Sequence, residues 1–167
     1  MKAFVTGGTG FVGSHLVQAL VAAGHDVRVL HRANSKLSAL AGIPYEAAIG
    51  DILDADALRS ACEGCDWVFH AAAIADYWRA DQARMFEANV EGTRLILQAA
   101  QAAGVARVMF TSSAAAVGLR RNGALSDEAA PFNLPPRQFP YGYSKALAER
   151  VVVEAVLAGQ DVVTLNP

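Results

Sequence analysis

The chain has 167 residues, 53% of them hydrophobic and 18% charged, enough apolar material to bury the core of a single domain and too much for a disordered chain. Its formal net charge is -2 and its Lys and Arg residues are scattered, so no basic stripe exists to neutralise a nucleic-acid backbone and no nucleic-acid partner is expected. The N-terminal apolar run breaks at Thr6 and no stretch reaches membrane-spanning length, so no membrane partner is expected and the chain reads as cytoplasmic.

Short β-branched runs alternate with longer helical patterns, the signature of a parallel sheet flanked by helices. The first predicted strand, over residues 2–6, runs into TGGTGFVGSHL, where Gly7, Gly10 and Gly13 open a helix over 11–23. Side chains at those positions would obstruct a tight turn, the approach of backbone N–H groups to a pyrophosphate, and close helix packing. The G-x-x-G-x-x-G spacing between a strand and an apolar helix therefore points to dinucleotide binding; a plain glycine-rich turn is the bland alternative. Gly24 stands where the helix should end.

A strand over 27–30 leads into His31 and Arg32, with Lys36 close behind, and the nearest acid, Asp26, precedes the strand. A carboxylate at the strand end would accept hydrogen bonds from the ribose 2′-OH of NAD and repel a 2′-phosphate, whereas a guanidinium can stack on adenine and hold the phosphate with two hydrogen bonds. NADP(H) is accordingly the favoured cofactor and NAD(H) the alternative, unless Arg32 is an ordinary solvated charge. A helix over 36–41, a strand over 45–49 and a helix over 55–61 follow. The CEGC stretch, Cys62 to Cys65, sits between a helix and a strand over 67–70, the reverse of the strand-to-helix setting of a redox pair. With no second Cys pair for zinc, it reads as a turn with two reduced thiols, and no metal site is expected.

After that fourth strand, IADYWRA presents Tyr77 and Trp78, either padding for a helix start or part of a substrate pocket. A helix over 82–103 ends at Gly104, and a strand over 107–111 leads into Ser112 and Ser113. The connection over 118–140 carries four of the six prolines, has almost no periodicity, and leaves the edge where open parallel sheets bind ligands. The last helix, over 141–157, begins YGYSKALAER. Only residues three or four apart share a helix face, which pairs Tyr141 with Lys145 and leaves Tyr143 pointing elsewhere. A strand over 162–165 brings the number to six, and no internal repeat is present.

TGGTGFVG, GDILD (residues 50–54), HAAA (70–73), NVEGT (89–93), FTSSAAAVG (110–118), YGYSKALAE and the terminal LNP together closely resemble the motifs of the extended short-chain dehydrogenase/reductase family, in order and over the whole chain. The resemblance is nearest to the dihydroflavonol-reductase-like branch and its bacterial relatives, including the hopanoid-associated sugar epimerase group, often labelled NAD-dependent epimerase/dehydratase. It implies an α/β Rossmann fold, a doubly wound parallel sheet in the order 3-2-1-4-5-6, and an NAD(P)-dependent oxidoreductase.

By the same resemblance Tyr141 is the catalytic acid/base, Lys145 its partner and a ligand of the nicotinamide ribose, and Ser113 the hydroxyl that orients the substrate carbonyl. Ser113 is preferred to Ser112 because it directly precedes the small-residue run. The chemistry agrees: hydride transfer to a ketone puts negative charge on its oxygen, which then needs a proton donor and a hydrogen-bond donor. An unperturbed tyrosine has a pKa of about 10, and a neighbouring cation favours its phenolate. The resemblance also implies Thr9, Phe11 and Val12 along the pyrophosphate, Asp51 at the adenine amino group with Ile52 beside it, and Ala71, Ala72 and Ala73 on the nicotinamide side. Asn89 is a weaker carry-over, since an Asn on a helix is most often a surface residue.

Two departures from the family pattern matter. Val117 stands where nucleotide-sugar epimerases commonly carry an aromatic, which with Arg32 tilts the reading toward an NADP(H)-dependent ketone or aldehyde reductase and away from an epimerase/dehydratase with tightly held NAD. A non-catalytic NADP-binding regulator ranks below both, having no need for Ser113, Tyr141 and Lys145 in register. The chain also stops at TLNP, where relatives continue into a C-terminal substrate domain. Residues 1–167 are thus expected to form one NAD(P)-binding domain truncated before that part, with little turnover of its own. The expected partner is a small-molecule carbonyl or alcohol substrate; relatives include monomers and homodimers.

Overall fold

The computed structural model describes residues 1–75, 81–120 and 124–167. Strands β1 (Lys2–Thr6), β2 (Asp26–His31), β3 (Glu46–Ile49), β4 (Trp67–His70), β5 (Arg107–Thr111) and β6 (Val162–Leu165) form one six-stranded sheet in the order β3-β2-β1-β4-β5-β6. Every pairing is parallel, as the alternation of strands and helices requires. The order reverses between β1 and β4, so their carboxyl ends part and leave a crevice there.

Helices α1 (Phe11–Ala22), α2 (Ala55–Cys62), α3 (Gln82–Phe86), α4 (Gly92–Ala102) and α5 (Pro140–Leu157) cover the sheet. Side-chain alternation along β1 divides the core in two. Phe4 joins Leu58 of α2, Ile96 and Leu97 of α4, Phe110 of β5 and Val152 of α5 in the larger cluster. Ala3 and Val5 face the other way, onto Val17 and Leu20 of α1 and Val27 and Val29 of β2. Each fully buried Val, Leu, Ile or Phe contributes about 1.5–3 kcal/mol, so these clusters fix where every strand end stands.

The CEGC stretch is a turn in which the Cys65 N–H donates to Cys62 O at 3.1 Å. Arg28 of β2 closes it from below, donating through Nη1 to Ala61 O at 2.6 Å and Glu63 O at 2.9 Å, and through Nε to Glu46 Oε1 at 2.8 Å. A cation there satisfies the last carbonyls of α2 and opposes its dipole. Both thiols are free and buried, and burial pushes Cys62 up to about 12 and Cys65 upward, which leaves them unreactive.

Two predicted helices differ. The segment over 36–41 forms only a 3-10 turn, Ser38–Leu40, because Leu40 alone is buried and Gly42 turns the chain at φ +76°. The helix over 82–103 is interrupted by a π-helical turn, Glu87–Glu91, between α3 and α4. Helices α1 and α4 close at Gly24 and Gly104, as expected, both in the left-handed region. Helix α5 starts one residue early, at Pro140, whose missing N–H costs nothing in a first turn. Tyr77 and Trp78 lie outside the described residues.

Candidate active site

A cleft of about 1210 Å³ lies at the carboxyl ends of β1, β2 and β4. Gly7, Thr9, Gly10, Arg32, Asp51, Ile52, Ala71, Ala72 and Ala73 border it, so most of the residues assigned to a cofactor meet in one place. Its floor is set by backbone contacts. Gly7 has φ +73°, and a Cβ there would stand 2.6 Å from the carbonyl carbon of Ala71; a Cβ on Gly13 would stand 2.1 Å from Gly7 O. Helix α1 has no side-chain cap, and the amides of Phe11, Val12 and Gly13 have no acceptor among the described residues. Such a terminus fits the pyrophosphate of a dinucleotide. Phe11 and Val12 do not border the cleft and their side chains are exposed, which leaves their main chain as the only contact they offer.

At the far end of the cleft Arg32 is exposed and forms no ion pair among the described residues, while its N–H donates to Ser35 Oγ at 3.1 Å. Asp26 lies at the opposite end of β2, too far along the strand to replace an acid beside Arg32. Asp51 Oδ1 accepts from the Leu53 N–H at 3.1 Å and shapes the turn after β3.

Beyond the cleft lies a corner built from buried side chains, where β5 meets α5. Tyr141 is 8% exposed and Lys145, one turn on, 1%. Lys145 Nζ donates to Thr111 O at 2.8 Å and sits 4.3 Å from the centre of the Phe110 ring. Burial pushes this lysine down to about 8, and the Glu149 carboxylate partly opposes that shift. The two serines divide as strand alternation demands. Ser112 is buried and its hydroxyl donates to Glu149 Oε1, which also accepts from Asn166 Nδ2 at 2.7 Å. Ser113 is half-buried; its Oγ accepts from the Ala115 N–H at 3.2 Å, capping the 3-10 turn Ala114–Ala116, and its own hydrogen is uncommitted among the described residues. Tyr143 packs between Phe86 and Phe132 at 5.9 and 5.7 Å.

A chain of buried hydrogen bonds joins the cleft floor to this corner. Thr93 Oγ donates to Asn89 O at 2.7 Å, so it accepts from His70 Nε2 at 3.0 Å, and His70 Nδ1 accepts from the Thr6 hydroxyl at 2.7 Å. Thr6 Oγ in turn accepts from the Ala72 N–H at 3.3 Å. Burial, with Lys145 nearby, pushes His70 down to about 3, so the imidazole is neutral and its tautomer fixed by these partners. Asn89 is 1% exposed, unlike a surface helix residue: the π-helical turn rotates it inward. Its Oδ1 accepts from the Ile74 N–H at 2.8 Å, and its Nδ2 donates to Ile74 O at 3.0 Å and Ser144 Oγ at 2.9 Å. Asn89 therefore ties the loop after β4 to α5. Thr6 carries no sequence signal for this role, and Thr93 and Glu149 carry only their four-residue spacing from Asn89 and Lys145.

Comparison with known proteins agrees with this architecture. The model of the NAD dependent epimerase/dehydratase family matches residues 3–167. A Synechocystis sp. protein provisionally named dihydroflavonol 4-reductase is 42% identical over 164 residues, 98% of this chain and 48% of the relative. A UDP-glucose 4-epimerase of Streptomyces lividans is 36% identical over 98% of this chain and 50% of its own length. The crystal structure of a short-chain dehydrogenase/reductase superfamily protein from Agrobacterium tumefaciens with bound NAD superposes with a TM-score of 0.83, at 36% identity, over 99% of this chain and 48% of that one. The chain thus spans about half the length of the curated relatives it matches.

Proposed function

The chain belongs to the NAD dependent epimerase/dehydratase family of extended short-chain dehydrogenases/reductases, and from that premise we propose that it forms the cofactor-binding half of an NADP(H)-dependent reductase of small-molecule ketones or aldehydes. The observation that carries this reading is Lys145, buried one helical turn from Tyr141 and held to Thr111 O, two residues before Ser113. Burying an ammonium is costly, and that cost is intelligible where its charge has work to do.

In this reading Tyr141 gives its phenolic proton to the carbonyl oxygen, Lys145 stabilises the phenolate left behind, and the Ser113 hydroxyl hydrogen-bonds the same oxygen as negative charge develops there. NADP(H), when bound, supplies or accepts the hydride. The first-turn amides of α1 would hold the pyrophosphate, Arg32 the 2′-phosphate, and Ala71–Ala73 the nicotinamide side. Arg32 is exposed and has no ion pair among the described residues, which supports the phosphate assignment. A charge-assisted contact of this kind contributes about 1.5–3 kcal/mol, or roughly 10- to 100-fold in affinity.

Fluorescence titration of the chain with NADPH and NADH, beside Arg32→Ala, tests the cofactor half. NADPH should bind at least roughly tenfold more tightly than NADH, and Arg32→Ala should erase the difference by weakening NADPH far more than NADH. Equal affinities that Arg32→Ala does not alter contradict the assignment. The second reading, an epimerase/dehydratase, is favoured by relatives such as the Streptomyces lividans enzyme, and recovery of NAD with the purified chain would select it.

A further inference from the structure

Lys145 keeps no anion in contact among the described residues. Among the described residues no carboxylate oxygen lies within ion-pair distance of it, although it is almost wholly shielded from water. One of its three N–H donors goes to Thr111 O, and the ammonium lies over the face of Phe110, 4.3 Å from the ring centre. Phe110 is 1% exposed and is fixed from its surroundings: the His70 ring packs against it at 5.7 Å with a 30° tilt, and it belongs to the core formed with Ala148 and Val151 of α5.

We propose that Phe110 is a positioning residue for Lys145, its ring face holding the ammonium charged and in place beside Tyr141 where other sites would use a carboxylate. The proposal rests on the reading of Lys145 as the partner of Tyr141. A carboxylate in contact would neutralise most of the field that Lys145 exerts on the phenol, whereas an aromatic quadrupole stabilises the cation without adding charge. The ring therefore offsets part of the desolvation cost and leaves the positive field intact. Among the described residues the other titratable groups around the ammonium fit this division. His70, arriving from β4, is neutral; Tyr141 and Glu149 share α5 with the lysine; and β5 contributes only the ring and a carbonyl. Glu149 is occupied by Ser112 and Asn166 and acts on Lys145 at a distance.

The test follows the Lys145 side-chain carbon signal against pH by NMR in the 167-residue chain labelled at lysine Cε, in wild type and Phe110→Leu. A second sample carries trifluorophenylalanine at position 110 alone, which weakens the ring face while keeping an aromatic ring of nearly the same size in the core. The Lys145 midpoint should fall by roughly one pH unit in Phe110→Leu and in the same direction in the fluorinated chain. An unchanged midpoint in the fluorinated chain, with Phe110→Leu either unchanged or unfolded, overturns the proposal. NADPH titration of the same samples reads the cofactor assignment separately, because the Lys145 midpoint is measured without cofactor.

Discussion

The cleft at β1 and the corner at β5 are built by opposite means. The glycine loop is made of backbone: Gly7 and Gly13 leave no room for a Cβ, and the donors offered to a ligand are amides at the start of α1. The corner is made of buried side chains, with Lys145, Ser112, His70, Thr93 and Asn89 each close to fully covered and each given partners. A backbone site tolerates changes of pH and fails by steric intrusion. A site of buried polar groups packs tightly around its network and fails when protons move or a partner is lost.

That contrast is broken most severely by acid. His70 has a folded-state pKa below that of the unfolded chain, so between about 6.5 and about 3 the unfolded state binds a proton that the folded state refuses. Stability from this group is therefore complete above pH 6.5 and is lost as pH falls toward 3, by at most about 5 kcal/mol. Urea unfolding at pH 7 and pH 4 should show a smaller loss in His70→Gln than in wild type; parallel losses would remove His70 as a cause. Lys145 has a slope of the same sign in a higher window, since its pKa falls from 10.5 to about 8 on folding. The cost of burying its charge is present below pH 8 and relieved between 8 and 10.5, a gain that Cys62 and Cys65 oppose, because their thiols ionise near 9 in the unfolded chain and stay protonated in the folded one.

Next in size is the steric failure of the backbone site. In Gly13→Ala the new methyl must displace the Gly7 carbonyl, at an expected cost of about 3 kcal/mol, with NADPH binding abolished while Lys145 keeps its wild-type titration. Asn89→Ala removes three hydrogen bonds that join the loop after β4 to α5 and should cost about 2–3 kcal/mol in urea unfolding, leaving first-turn amides of α1 unaffected. The smallest effect is expected for Glu149→Gln, which retains an acceptor for Ser112 and Asn166 but removes a distant charge: the Lys145 midpoint should drop by a fraction of a pH unit. A rise, or no change, would mean that Glu149 does not act on Lys145 electrostatically.

The same contrast governs what could be read from sequence. The glycine loop was legible because only one residue type permits its contacts, and the sheet because strand and helix periods differ. Arg32 at the end of β2 was legible as a position, since the strand ran one residue either side of its predicted limits. The 36–41 segment misled because a few apolar residues before Gly42 mimic one helical turn but give it only Leu40 to bury. Asn89 looked like a surface residue because an uninterrupted helix would carry it outward; the π-helical turn adds the rotation that periodicity does not announce. Glu149 and Thr93 looked like ordinary helix residues, because a buried hydrogen-bond partner on another element leaves no local pattern.

If cleft and corner act on one ligand, labelled Lys145 will report it. Adenosine 2′,5′-bisphosphate should occupy the Arg32 end alone, whereas NADPH should extend to the corner. NADPH should shift the Lys145 signal and the bisphosphate should not, although both perturb amides of the cleft. A Lys145 signal indifferent to saturating NADPH, with the cleft amides responding, would contradict a single shared ligand.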